Sequence, residues 1–265
     1  MRGTIVERTE DAELPDGLLA HWRAWLGATD HELAVLGAVH DGPPPVVVVG
    51  AEGRTRPGWD GAVHAVTGIV DAAGAAVVSV PPAHLAWARS YVAQAGPGGD
   101  GGADPAAAAG ALDALRAALP DRLGLPGHIV YRGVCRWSDA PPSADRLPDA
   151  GVWLPFDDPR VPEWLRPFGG DVLVALDDDD RYLAGVGLKR HDRHGHEISV
   201  GTDERARGRG LARRLVAQAS RTLHEQGIVA TYLHDPANVA SARVADAAGF
   251  PDHGWGVLGI FQVAP

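Results

Sequence analysis

The chain has 265 residues, enough for one large or two modest domains, and its 45% of hydrophobic residues suffices for a sizeable core. The formal net charge of −10 argues against general nucleic-acid binding, which needs a basic footprint. It fits a cationic small-molecule partner, although it also serves solubility.

Cysteine and hydropathy indicate the compartment. The single cysteine, Cys135, excludes an intrachain disulfide framework and is typical of a reducing environment. No apolar run approaches the ~20 residues of a membrane span. The stretch 1–11 lacks the apolar core of a signal peptide. We therefore expect a soluble, cytoplasmic protein without a membrane partner.

The first 125 residues are rich in alanine, glycine and proline and are weakly patterned, so we expect an N-terminal α/β region at 1–125. The elements predicted in and just after it are strands at Val46–Val49 and Ala76–Val80, a helix at Ala83–Ala95, a flexible loop at Gly96–Pro105, a helix at Ala106–Leu119 stopped by Pro120, and a strand at His128–Val134.

A second proline-rich break at 140–148 favours a linker and strand region at 126–149, with a second domain at 150–265. That domain alternates strands and helices, which is typical of an α/β fold. Its predicted elements are a short helix near Pro162–Leu165, strands at Asp171–Leu176, Tyr182–Lys189 and Glu197–Thr202, a helix from Leu211 to Gly227, a strand at Ile228–Leu233, a short helix from Asn238 to Gly249, and a strand at Gly256–Val263.

The turn at 205–212 joins a predicted strand to a predicted helix and contains Gly208 and Gly210. Glycine tolerates positive φ and lets the backbone approach an anion closely. The free amides and partial positive charge of a helix N-terminus can hold a phosphate or pyrophosphate. A nucleotide-binding site is disfavoured, because the turn lacks the third glycine of a dinucleotide fingerprint and the Lys-Ser/Thr of a P-loop. The pattern predicts a phosphorylated cofactor.

Two motifs resemble a known family. Arg205-x-x-Gly208-x-Gly210 is similar to the Gln/Arg-x-x-Gly-x-Gly/Ala signature of the GNAT superfamily of acyl-CoA-dependent N-acetyltransferases. Asn238-x-x-Ser241, with a Gly-Phe pair eleven residues after the asparagine, is similar to its second signature, closest to the FR47-like branch.

The resemblance covers 150–265 and implies a mixed, mainly antiparallel central sheet flanked by helices, with the N-terminal α/β region as an addition. A degenerate acetyltransferase-like repeat is one interpretation of 1–125. The resemblance also implies acetyl-CoA as donor, without a metal, in a V-shaped cleft between the strands at 197–202 and 228–233. The cofactor contacts that it implies are Val200, Thr202, Arg205, Arg207, Gly208, Arg209, Gly210, Leu211, Ala212, Asn238 and Ser241.

Transfer to an amine requires a base, and Glu197 is the first candidate because it points away from Ile198 and toward the acceptor side. Many relatives have a tyrosine seven residues after the motif asparagine as the acid, where this chain has Ala245. His234 and Tyr232 are the substitutes, and His234 is preferred because imidazole titrates near neutrality.

Other clusters receive structural interpretations. His191–His196 is predicted to be a solvated hairpin tip rather than a zinc site, and Asp177–Asp180 a turn rather than a calcium loop. Cys135 is expected to pack in the interior. Four aromatic residues are considered either as core or as an acceptor-site wall: Trp153, Phe156, Trp164 and Phe168.

The leading hypothesis is direct acetyl transfer from acetyl-CoA to a small cationic amine such as a polyamine, an amino sugar or an amino-acid derivative. A protein N-terminus or lysine stays open as acceptor. Ala245 motivates the alternative of a catalytically silent acyl-CoA-binding regulatory module. The sequence leaves open whether the chain forms a homodimer.

Overall fold

The structure, a computed structural model, describes residues 14–95 and 110–262. Within these residues ten strands form one sheet: β1 (Val46–Gly50), β2 (Thr67–Val70), β3 (Ala76–Val80), β4 (His128–Ser138), β5 (Val152–Pro155), β6 (Asp171–Leu176), β7 (Tyr182–Arg190), β8 (Gly195–Thr202), β9 (Val229–His234) and β10 (Gly256–Gln262). The α-helices of the same residues are α1 (Asp16–Leu26), α2 (Asp30–Leu33), α3 (Leu85–Ala95), α4 (Ala111–Arg122), α5 (Leu211–Glu225) and α6 (Val239–Ala247).

The strand order is β1-β3-β2-β10-β4-β9-β8-β7-β6-β5. Among the described strands, β1 and β3 pair in parallel, as do β8 and β9, and the other neighbours are antiparallel. The predicted mixed, mainly antiparallel sheet flanked by helices is confirmed.

Strand β10 joins the two halves of the chain. It lies between β2 and β4, with Leu258 opposite Gly68 on one side and Arg132 on the other. Leu258 is buried in a core cluster that otherwise comes from the first 130 residues. The sheet therefore runs without interruption across the boundary predicted between 125 and 150.

The core on one face of the sheet is built by α5. Leu215, Ala219 and Leu223 are buried at the predicted four-residue spacing, against Ile198 and Phe250. On the opposite face, Leu18, Trp22 and Leu26 of α1 form a second cluster with Trp137 and Trp255, among others. Helix α1 was not predicted, although the four-residue spacing of its buried residues is typical of a helix.

The segment predicted as a linker is held against α5. Arg214 donates to the carbonyl of Pro148, and Arg221 contacts the Asp149 carboxylate. Gln218, one turn after Arg214, bonds both backbone groups of Gly151. Because these side chains share one helical face, the segment follows α5 into β5, a strand that was not predicted.

Helix α4 and strand β4 end later than predicted. Helix α4 does not stop at Pro120 but continues to Arg122, because a proline this close to the end removes only one hydrogen bond, to the carbonyl of Arg116. Strand β4 extends to Ser138, and β2 was not predicted. The loop predicted at 96–105 and the start of the helix predicted at 106–119 lie outside the described residues. In the described part of the chain, no helix has both the length and the apolar character needed to cross a bilayer.

Candidate active site

A cleft opens where β8 and β9 part. Their parallel pairing runs from Gly195–Val229 to Glu197–Thr231 and ends there in the described sheet. Beyond this point β8 continues to Thr202 and pairs only with β7, so its other edge is free. A free edge of backbone donors and acceptors is where an extended ligand can bond like an added strand. Val200 and Thr202, two of the predicted cofactor contacts, lie on this free part of β8.

The glycine turn precedes α5 directly. Gly208 has φ +78° and Gly210 φ +74°, conformations that favour glycine over other residues. None of the amides of residues 208–213 donates a hydrogen bond to an atom of the described residues. These N–H groups and the helix dipole make the turn suited to an anion.

The side chains of the neighbouring arginines hold the turn in place through hydrogen bonds to backbone carbonyls. Arg205 donates to the carbonyl of Tyr182 at 2.8 Å, which ties the turn to β7. Arg209 donates to the carbonyl of Arg205 at 3.1 Å. The amide of Arg207, predicted to contact the pyrophosphate, instead donates to the carbonyl of Glu204 at 3.3 Å. The predicted row of open amides therefore begins at Gly208, not at Arg207.

The second motif forms the start of α6. The Oδ1 of Asn238 accepts a hydrogen bond from the amide of Ser241 at 3.0 Å, so this asparagine is the helix N-cap. The hydroxyls of Ser241 and Tyr232 lie 2.9 Å apart. Ala245 is fully buried. Tyr232 therefore directs its hydroxyl to the helix that in relatives would carry the tyrosine.

His234 is engaged on both ring nitrogens. Its Nε2 accepts a hydrogen bond from Nε of Arg136 at 3.1 Å, and its Nδ1 lies 2.9 Å from the carbonyl of Asp235. A guanidinium can only donate, so Nε2 carries no proton and the Nδ1 proton is given to the carbonyl. This geometry argues against the predicted role of His234 as proton donor to the thiolate.

Glu197 belongs to a buried cluster. Its carboxylate is only 6% exposed and contacts Lys189 Nζ at 2.5 Å and His191 Nε2 at 3.2 Å. Burial alone would raise the pKa of Glu197, but the hydrogen bond from His191 and the charge of Lys189 outweigh it, so the pKa lies below its usual range. The carboxylate is thus ionised and able to accept a proton. His191 was missed as a site residue because its sequence neighbourhood is typical of a turn.

A cavity of about 770 Å³ opens beside this cluster. Of the predicted site residues, Glu197 and His234 line it; Tyr232 and the predicted cofactor contacts do not. Most of its wall comes from residues before 134 and from β10. Its aromatic residues are Trp25, Trp59, Tyr131 and Phe261. The N-terminal half therefore builds much of the space in front of Glu197, which periodicity in that half could not reveal.

The four aromatic residues considered for the wall do not line this cavity. Phe168 stacks on Trp59 at 5.0 Å between ring centroids and so supports the wall from behind. Trp164 packs closely over Gly201, where a Cβ would come within 2.7 Å of its ring. Trp153 packs against the core beside α5.

The histidine-rich hairpin is not a solvated tip. Asp192 accepts a hydrogen bond from His21 of α1 at 2.7 Å, and the ring of His21 covers Gly195. His196 is buried, and burial together with the charge of Arg190 lowers its pKa to about 4. The prediction of solvent exposure was wrong because α1, itself not predicted, packs on this turn. Within the described residues no group of three or more histidine, cysteine or acidic residues is arranged to hold a metal ion.

Part of the chain is similar to known proteins. Residues 134–250 match the family described as acetyltransferase (GNAT) family. The comparison with curated proteins finds no match. Similar solved structures include a GCN5-related N-acetyltransferase-like protein from Streptococcus suis (19% identity, 55% of this chain, 67% of that one, TM-score 0.42) and a GCN5-related N-acetyltransferase from Sphaerobacter thermophilus (19%, 57%, 57%, 0.39). Another is an acetyltransferase from the GNAT family of Colwellia psychrerythraea (14%, 54%, 62%, 0.34). The segment 134–250, which makes up less than half of this chain, is the part that matches the GNAT acetyltransferase family.

Proposed function

We propose that the protein transfers the acetyl group of acetyl-CoA to the amine of a small cationic molecule by direct attack. One observation carries the proposal: the pairing of β8 and β9 ends at Glu197, which lines a cavity large enough for an acceptor, and β8 then leads to a turn with open amides. Within the family we place the domain in the FR47-like branch, on the two motifs of α5 and α6.

The donor side uses main-chain groups. The amides from Gly208 to Ala212 hold the pyrophosphate, and the free edge of β8 at Val200 and Thr202 bonds the extended arm. Acetyl-CoA supplies the acetyl group as a thioester. Asn238 and Ser241 shape the start of α6, which borders the cleft.

The acceptor side uses the buried cluster. An amine is mostly protonated at neutral pH, so a base must remove a proton before the nitrogen attacks. Glu197, with His191 hydrogen-bonded to it, takes this proton from the cavity side. The positive charge of Lys189 keeps the Glu197 carboxylate ionised until it accepts this proton.

The leaving sulfur needs a proton, and Tyr232 is the donor we propose. It lies on β9 one residue after the last pair with β8. Burial raises the pKa of Tyr232, although the hydrogen bond with Ser241 and the charge of Arg136 counteract this, so the phenol keeps its proton at neutral pH. The hydroxyl of Tyr232 supplies the proton that the methyl group of Ala245 cannot supply.

Thiol release tests the function. The protein is mixed with acetyl-CoA and a panel of polyamines, amino sugars and amino acids, and free CoA thiol is measured. Cys135 adds no background, because burial, together with the charge of Glu197, raises the pKa of its thiol to about 12. Acceptor-dependent release supports the proposal. CoA binding without acceptor-dependent release on the whole panel would instead favour the silent acyl-CoA-binding module.

A further inference from the structure

We infer that the acceptor amine also carries a carboxylate and that Arg54 binds this carboxylate inside the cavity. The inference rests on the acetyltransferase function proposed above and narrows its substrate class. It concerns a part of the site outside the segment that matches the family, since Arg54 precedes residue 134.

Arg54 is a buried side chain with unused donors. It is 6% exposed and lines the cavity. Its Nη1 donates to the carbonyl of His64 at 3.2 Å and its Nη2 to the carbonyl of Trp25 at 3.0 Å. Its Nε is buried and has no hydrogen-bond partner in the described structure. A guanidinium has five N–H donors, so these two contacts orient the group without saturating it.

The positive charge of Arg54 is also uncompensated. No carboxylate within residues 14–95 and 110–262 forms an ion pair with it, and burial lowers its pKa. Two other charged groups that line the cavity, Lys189 and Glu197, pair with each other. Burying a charge without a partner costs free energy, so we expect such a group to bind an anion when the substrate occupies the site.

Two exposed charges, Glu52 and Arg56, also line the cavity. Solvent screens them much more than it screens a buried group. Arg54 therefore dominates recognition of charge in the interior of the cavity.

The ligand that fits is defined by two buried groups of opposite charge that line this space. Glu197 and Arg54 line the same cavity, so one molecule can place its amine at the carboxylate and its own carboxylate at the guanidinium. The planar guanidinium matches carboxylate geometry and binds it by charge-assisted hydrogen bonds. The rings of Trp25 and Trp59 offer apolar contact to the carbon skeleton between the two groups. A volume near 770 Å³ is typical of a small-molecule site.

The test compares paired acceptors. L-amino acids with apolar, aromatic and basic side chains are each assayed beside the corresponding carboxamide, with acetyl-CoA, by thiol release. For the wild type we expect kcat/KM to be at least about tenfold higher for the carboxylate member of a productive pair. Arg54→Gln should lower this ratio by about tenfold or more and change kcat/KM for the carboxamide little. Arg54→Lys, which keeps the charge but not the planar group, should give an intermediate ratio.

The carboxamide acts as an internal control for folding, since an unfolded variant would turn over neither member. Differences in the basicity of the two amines cancel when wild-type and variant ratios are compared. Arg116→Gln is the matched control, because Arg116 also donates to a backbone carbonyl, that of Val130, but does not line the cavity. It should keep the wild-type ratio.

The outcomes separate the two proposals. Equal turnover of carboxylate and carboxamide by the wild type, or turnover only of spermidine or glucosamine, would overturn the inference and leave acetyl transfer standing. An unchanged ratio in Arg54→Gln would also overturn it. No thiol release with any amine would refute the acetyltransferase function, and the inference would fall with it.

Discussion

Nε of Arg136 donates a hydrogen bond to Nε2 of His234 at 3.1 Å, so Nε2 is the acceptor and Nδ1 faces the carbonyl of Asp235. The guanidinium is itself held by Asp246 and by the carbonyl of Phe250. The ring is therefore a hydrogen-bond acceptor that positions the end of β9.

His234→Gln should accordingly keep the rate of thiol release within about twofold, because a glutamine oxygen can accept from Arg136 in the same way. Tyr232→Phe should slow release by about 10²-fold or more, since it removes the proposed acid and leaves the ring in place. Pre-steady-state release of CoA thiol distinguishes the two. A slow His234→Gln beside an unaffected Tyr232→Phe would reverse the assignment.

Gly208→Val should weaken CoA binding by about tenfold or more, because a branched side chain crowds the amides and disfavours φ +78°. Calorimetric titration with CoA measures the effect. Gly124→Val is the control: Gly124 has φ +69° and equally open surroundings but lies after α4, so it carries a similar backbone strain away from the turn. Unaltered CoA affinity in Gly208→Val would refute the anion site.

Glu197→Gln should lower kcat by about 10²–10⁴-fold and remove the acidic limb of the pH–rate profile, with CoA affinity intact. The pKa of Glu197 is held below its usual range, in part by the charge of Lys189. Lys189→Gln should therefore raise that pKa and move the acidic limb to higher pH. An acidic limb that stays in place in both variants would exclude Glu197 as the base.

Buried His196 should make the protein less stable in mild acid. Its folded-state pKa is lowered from 6.5 to about 4, so between these values the unfolded chain binds a proton that the folded chain does not. The free energy of unfolding therefore falls as pH drops through this window and levels off below it. His196→Gln should flatten this dependence in denaturant titrations at about pH 7 and about pH 5. The exposed His31→Gln should not, and equal slopes in both variants would contradict the assignment.

The parts of the site that lie close together in the chain were predictable from the sequence. The turn at Gly208 and Gly210 and the cap at Asn238 are local, since backbone conformation and capping depend on neighbouring residues. Leu215 and its partners on α5 followed from helical spacing.

What the sequence could not supply depends on contacts between distant segments. Arg54 reaches the site only because the loop after β1 lines the same cavity as Glu197 of β8, and His191 becomes buried only because α1 packs on its hairpin. The contact between His234 and Arg136 was unpredictable for the same reason, because Arg136 lies 98 residues earlier in the chain. Contacts between distant segments leave no periodic pattern in the sequence.

Strand β10 comes last in the chain but lies in the middle of the sheet, and this affects folding during synthesis. Strands β2 and β4 are synthesised long before it, yet each has one edge that only β10 covers. Until that strand emerges, nascent chains expose two unpaired edges in what will become the middle of the sheet, and such edges invite association between chains. The amino-terminal part should thus depend on chaperones during synthesis and resist expression as a separate fragment.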